Sequence, residues 1–252
     1  MALPFFNPDV FWHLSAGRWI WAHGAVPRAD PFSFTRYGAR WIDFEWGTQL
    51  VWYAAERLGG LWGLWALKIP LLAAAFWPVD GLLRDKGASR LARAGALALW
   101  LAAMLAQADL RADLASLLFF SILLRRLESG RASFLFGFGL FALWANLHAG
   151  FVLAFGLYAL YALAARPRPR DLGAEAGGAF FGSLLNPYGL RLYAVLRAHA
   201  AAGDPARAIM EWAPPSWRQP FQLPLLAAAA VVLAAAWAAR RRAPRALLAA
   251  GV

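Results

Sequence analysis

Asn7-Pro8-Asp9-Val10-Phe11-Trp12-His13-Leu14 is the stretch that decides how the rest of the chain is read. Asn7 suits the cap of a helix and Pro8 its first position, which leaves Asp9 in the first turn, near the positive end of the helix dipole. One turn on, His13 falls on the same face as Asp9, and a further turn brings Gly17 there. Phe11, Trp12, Trp19, Ile20 and Trp21 cover much of the remaining surface. Such a helix is too apolar to sit in water and too short and charged to span a bilayer. It reads as a helix lying at a membrane surface, its tryptophans at headgroup depth.

Composition extends that reading to the whole chain. Of 252 residues, 61% are hydrophobic, 15% are charged and 14 are tryptophan, far more apolar surface than a soluble domain needs. The fold class expected is all-α, a polytopic bundle of transmembrane helices with amphipathic surface helices in its first outer loop. The absence of cysteine excludes a disulfide framework, a thiolate nucleophile and a Cys-ligated metal. The bias to Ala, Arg, Leu and Gly suits a GC-rich bacterial genome. Ala246 to Val252 begins another apolar run, and Met1 to Phe6 resembles no leader; the chain is expected to be a portion of a longer membrane protein.

Outward from the first helix, residues 1–57 form one polar and aromatic segment. Gly24, Pro27, Pro31 and Gly38 break a loop from His23 to Arg40, and a second amphipathic helix is predicted from about Asp43 to Arg57. Gly59-Gly60 then leads into the first apolar run, Leu61 to Val79. Residues 58–252 make up the bundle, with later runs at 91–106, 114–124, 132–147, 151–165, 176–185 and 223–239. Several are shorter than the ~20 residues of a straight span, so they continue into polar flanks or form broken hairpins; about seven crossings are expected. When the loops are assigned to alternate sides, the basic clusters at 84–93, 125–131, 166–170 and 240–245 fall together. The positive-inside rule makes that side cytoplasmic and places residues 1–57 on the outer side of a bacterial inner membrane. The net charge of +11 is thus a topology signal, and no nucleic-acid partner is implied.

The outer side also gathers the unusual motifs: Asp9 to Gly17, Asp30-Pro31-Phe32-Ser33-Phe34-Thr35, Glu45-Trp46, Trp144-Ala145-Asn146-Leu147-His148 continuing to Phe151, and Leu185-Asn186-Pro187-Tyr188-Gly189. With a surface helix opening on Asp, an aromatic second helix and many short spans, the chain resembles the GT-C superfamily of integral-membrane glycosyltransferases. Its motifs are most similar to the bacterial branch of protein O-mannosyltransferases and lipid A aminoarabinose transferases. The resemblance implies a sugar donor carried on a polyprenyl phosphate, contact with membrane lipids, and a glycan, lipid or protein as acceptor. An acceptor hydroxyl then displaces the phosphate at the anomeric carbon. That chemistry needs a carboxylate to take the proton and donors to hold the departing phosphate.

By the resemblance Asp9 is the catalytic base; otherwise it complements the helix dipole, worth roughly 0.3–1 kcal/mol. His13 either orients Asp9, binds phosphate or is simply solvated. Asp43 and Glu45 supply a second acid or a helix cap. Arg111, between Asp109 and Asp113, offers a fork to phosphate unless those acids already satisfy it. Asn146 and His148 border a membrane helix end, where polar side chains are costly unless used or paired. Asn186 and Tyr188 sit in a turn that ends a helix or touches substrate. A divalent cation is compatible with the acids but no ligand spacing indicates one, and no Gly-rich phosphate loop marks a nucleotide-sugar donor on the cytoplasmic side. The rival expectation is a non-catalytic membrane protein, either a lipid or polysaccharide transporter or a degenerate partner subunit.

Overall fold

The computed structural model of the chain describes residues 9–105, 110–163 and 168–201, with Leu223, Leu226, Ala227, Ala229 and Ala230. Among the described residues every regular element is helical, apart from an isolated antiparallel bridge between Ala29 and Arg40. In chain order the helices are α1 (Asp9–His23), α2 (Trp46–Asp85), α3 (Arg90–Leu105), α4 (Asp113–Glu128), α5 (Phe134–Trp144), α6 (Phe151–Leu163), α7 (Pro169–Ser183) and α8 (Arg191–Ala201). The chain divides into two units, residues 1–86 with 109–204, and residues 87–108 with 205–252. The described helix of the second unit is α3, whose third amide donates to the Ser89 hydroxyl at 3.2 Å in an ordinary N-cap. All the other helices belong to the first unit.

Helix α1 starts with the Asp9 carboxylate in its first turn, where the dipole favours it. It lays Val10, His13, Gly17 and Ile20 against α2, the spacing of one helical face. Gly17 is the closest point: a Cβ there would lie 2.2 Å from the Gln49 carbonyl oxygen. Phe11, Trp12 and Trp21 remain 41–54% exposed.

Helix α2 is two helices in one. Gly59 and Gly60 leave helical geometry, Gly60 at φ 59°, a region open to glycine without cost. The bend is sharp enough that a Cβ on Gly63 would meet the Ala55 carbonyl oxygen at 2.0 Å. From Leu61 to Asp85 the helix then continues, at about 1.5 Å per residue, far enough to cross a ~30 Å hydrocarbon core. It carries Pro70 and Pro78 internally and buries Lys68, whose ammonium lies 4.9 Å from the Trp65 ring centre.

Among the described residues α2 is the one helix long and apolar enough to span a membrane; α5 and α6 are apolar but shorter. The runs read at 91–106, 114–124, 132–147 and 151–165 are helices α3 to α6, and the count of about seven crossings is not reached by helix length. The run at 223–239 and the motif residue Asp109 lie largely outside the described residues, as do Asn7 and Pro8.

Two apolar cores form in the first unit. One gathers Phe119, Leu123, Phe141, Trp144, Phe151 and Tyr158 with Ala179 and Leu192; the other joins Val10, Trp52, Leu64, Leu110 and Leu114. In the larger core α5 and α7 pack backbone to backbone. A Cβ on Gly178 or Gly182 would stand 2.1 Å from the carbonyl oxygens of Phe134 and Phe138, and Gly137 is as tight against the Glu175 carbonyl.

Here α7 differs from the predicted run at 176–185. It starts at Pro169, with Pro at its N-terminus and Asp171 in its first turn, and so draws Glu175 out of the expected loop into full burial. Glu175 is accommodated because the Ser133 amide (2.7 Å), Arg126 Nε (3.3 Å) and the Tyr158 hydroxyl (3.2 Å) all donate to its carboxylate. A buried carboxylate so paired is stable where an unpaired one is not.

Candidate functional site

Glu45 stands immediately before α2, at the cap position, yet its side chain makes no capping bond. It turns instead toward two imidazoles. His13 Nε2 of α1 lies 3.6 Å from one carboxyl oxygen and His148 Nε2, from the turn between α5 and α6, lies 3.5 Å from the other. His13 is 6% exposed, lying 3.9 Å from the Trp12 ring and edge-on to Trp52 at 5.2 Å.

His148 is fixed from behind. Its Nδ1 lies 2.7 Å from Ser116 Oγ and accepts the Gly150 amide at 3.0 Å, while Trp144 Nε1 donates to Ser116 Oγ at 2.7 Å. A Cβ on Gly150 would sit 2.3 Å from Ser116 Oγ and 2.9 Å from His148 Nδ1, so a side chain there would displace that pair.

Two further groups complete the surroundings. At the start of α4, Arg111 Nε lies 3.7 Å from Asp113 Oδ2. Before Glu45, the buried Asp43 accepts from Gln49 Nε2 at 2.7 Å. His13 Nδ1, Asp43 Oδ2, Gln49 Oε1 and Asp113 Oδ1 are buried atoms without a hydrogen-bond partner, a concentration that ordinary cores avoid.

The electrostatics follow from burial. Burial, with added repulsion from Asp43, Asp113 and Asp9 and partial relief from Arg111, pushes the Glu45 carboxyl up to about 8. Burial also raises Asp43 to about 6, against the bonds from the Glu45 amide and Gln49. His13 and His148 fall to about 4, first through burial and then through neighbouring cationic groups, Arg111 among them. Near neutrality the imidazoles are uncharged and Glu45 exchanges its proton within reach of working pH, the condition for a general acid or base.

The structure therefore brings together His13, Asp43, Glu45, Arg111 and His148 from four separate stretches of chain. Asp9 is exposed at the start of α1 and close enough to add to the repulsion on Glu45.

Three other predicted residues hold the scaffold. Asn146 accepts from Trp46 Nε1 at 2.9 Å and donates to the carbonyls of Ala142 and Leu185, each at 2.7 Å. The Tyr188 hydroxyl accepts the Asp43 amide and donates to the Pro27 carbonyl, both at 3.0 Å; burial raises it to about 12. Asn186 caps its own turn, accepting from the Tyr188 amide and donating to the Ser183 carbonyl. Ser116 and Gln49 went unnoticed in the sequence. Gln49 is detectable one turn after Glu45, but a single serine in an apolar run carries no signal.

Among the described residues no set of three or more His, Asp or Glu side chains is arranged to hold a metal ion. Beside the cluster, a largely apolar cavity of about 610 Å³ is lined by Ile20, Trp21, Val26, Arg28, Trp46, Leu50 and Pro187 among others. It includes neither Glu45 nor the histidines. The chain matches no protein-family model, no curated protein and no solved structure, so the site's own geometry carries the functional reading.

Proposed function

We propose that the chain is an integral-membrane glycosyltransferase that moves a sugar from a polyprenyl-phosphate donor to an acceptor hydroxyl at the outer face of the membrane. The observation that carries this reading is a half-buried carboxyl, Glu45, raised to about 8 and set between two imidazoles that come from motifs far apart in sequence.

In this mechanism the acceptor hydroxyl attacks the anomeric carbon and its proton passes to the Glu45 carboxylate. The bond from the anomeric carbon to the phosphate oxygen breaks, and the phosphate leaves with the electron pair. Arg111 offers donors to that developing charge. Glu45 takes the base role, because partial burial raises its basicity and it stands between the two imidazoles. Asp9, exposed at the start of α1, adds the smallest of the repulsions on Glu45. The apolar cavity beside Trp46, with Arg28 in its wall, suits a prenyl chain near a phosphate. Leu61 to Asp85 is one crossing, and the shorter apolar helices α5 and α6 form a broken hairpin within a multi-pass inner-membrane bundle.

The experiment is donor turnover by the full chain in liposomes, offered a panel of labelled polyprenyl-phosphate sugars. Release of free polyprenyl phosphate with sugar transferred to an acceptor is the expected result. A chain that consumes none of the donors is not a glycosyltransferase, and the weight moves to a non-catalytic partner subunit.

A further inference from the structure

Neutral histidine has two tautomers, and the one present is set by what the other nitrogen bonds to. For His148 three observations agree. The Gly150 amide can only donate, and it donates to Nδ1. Ser116 Oγ already accepts Trp144 Nε1–H, which leaves its own proton free to donate to the same Nδ1. A Cβ at Gly150 would displace Ser116 Oγ and His148 Nδ1 from that contact. A nitrogen surrounded by donors carries no proton, so the proton of neutral His148 is on Nε2, the atom facing Glu45 at 3.5 Å.

We propose that Ser116, braced by Trp144 and Gly150, holds His148 as the Nε2–H tautomer, so that this histidine presents a hydrogen-bond donor beside Glu45 and no lone pair for a metal. A metal-ligating histidine shows the opposite arrangement, its second nitrogen donating to a carbonyl or carboxylate. The ligand edge is therefore built for an oxygen acceptor, such as a sugar hydroxyl or a phosphate oxygen. Ser116 is a positioning residue, two bonds removed from the reacting atoms. The statement about ligand class rests on the glycosyltransferase reading, whereas the tautomer does not.

Nitrogen NMR of the full chain labelled with 15N-histidine in lipid bilayers tests this directly. The chain has four histidines, and loss of one resonance pair in His148→Gln assigns the right one. The expected spectrum has an unprotonated, pyridine-type Nδ1 and a protonated, pyrrole-type Nε2, both unmoved by added Zn²⁺. Ser116→Ala shifts the signals toward a mixture of tautomers, and Ser116→Thr, which keeps the hydroxyl, restores them. With a turned-over donor in hand, Ser116→Ala lowers transfer and Ser116→Thr recovers it. Wild-type His148 protonated on Nδ1, Zn²⁺ displacing Nε2, or an unchanged tautomer in Ser116→Ala would each overturn the proposal. Because the spectrum needs no substrate, a chain without transferase activity would sink the functional reading and leave this one standing or falling on its own.

Discussion

At Glu45 three carboxylates and burial all oppose ionisation, and Arg111 offsets only part of that. The pH dependence of transfer follows. A base must be unprotonated, so activity should rise with pH and level off above about 8. Asp9 contributes to the repulsion, so Asp9→Asn should move the rising limb to lower pH while retaining most of the plateau rate. Rate profiles for the two proteins decide it; a limb that stays in place would separate Asp9 from Glu45. Residue chemistry was only half legible in sequence. Asp9, His13 and Glu45 stood out because polar side chains in an aromatic segment are conspicuous. Which acid lies at the centre depends on burial, which depends in turn on His148 arriving from the far end of α5. No local pattern contains that.

Among the elements, α5 and α7 illustrate how packing escapes a reading by periodicity. Gly178 and Gly182 look like helix-weakening residues, yet they permit the two backbones to touch. Gly178→Val should therefore destabilise the first unit by about 1–3 kcal/mol, as overpacking does. Gly177→Ala, where a Cβ meets nothing within 4 Å, should be neutral or gain up to ~1 kcal/mol from helix propensity. Equilibrium unfolding of the two variants is the comparison, and equal losses would remove the seam from the account. The break at Gly59-Gly60 was legible because paired glycines have a local meaning. The start of α7 was not: Glu175 carries a charge, charge reads as exposure, and only Arg126, Ser133 and Tyr158 converging on it make burial possible.

For the whole molecule, the charge distribution and the apolar runs point to a membrane, and the helix from Leu61 to Asp85 meets the length requirement. The lack of native cysteine makes topology directly measurable. A cysteine at Phe34, which is fully exposed, should react with an impermeant maleimide from the outer side. One at Ser129, beside the basic cluster at 125–131, should react only after the membrane is opened. Labelling in the reverse order would invert the orientation and put the site on the wrong face for a lipid-linked donor. The most direct measurement of the central claim compares sugar transfer by wild type and Glu45→Gln, at equal protein level in the same liposomes. Loss of about 10²–10⁴-fold is expected for removal of the base, and Glu45→Gln turning over at the wild-type rate would contradict the account.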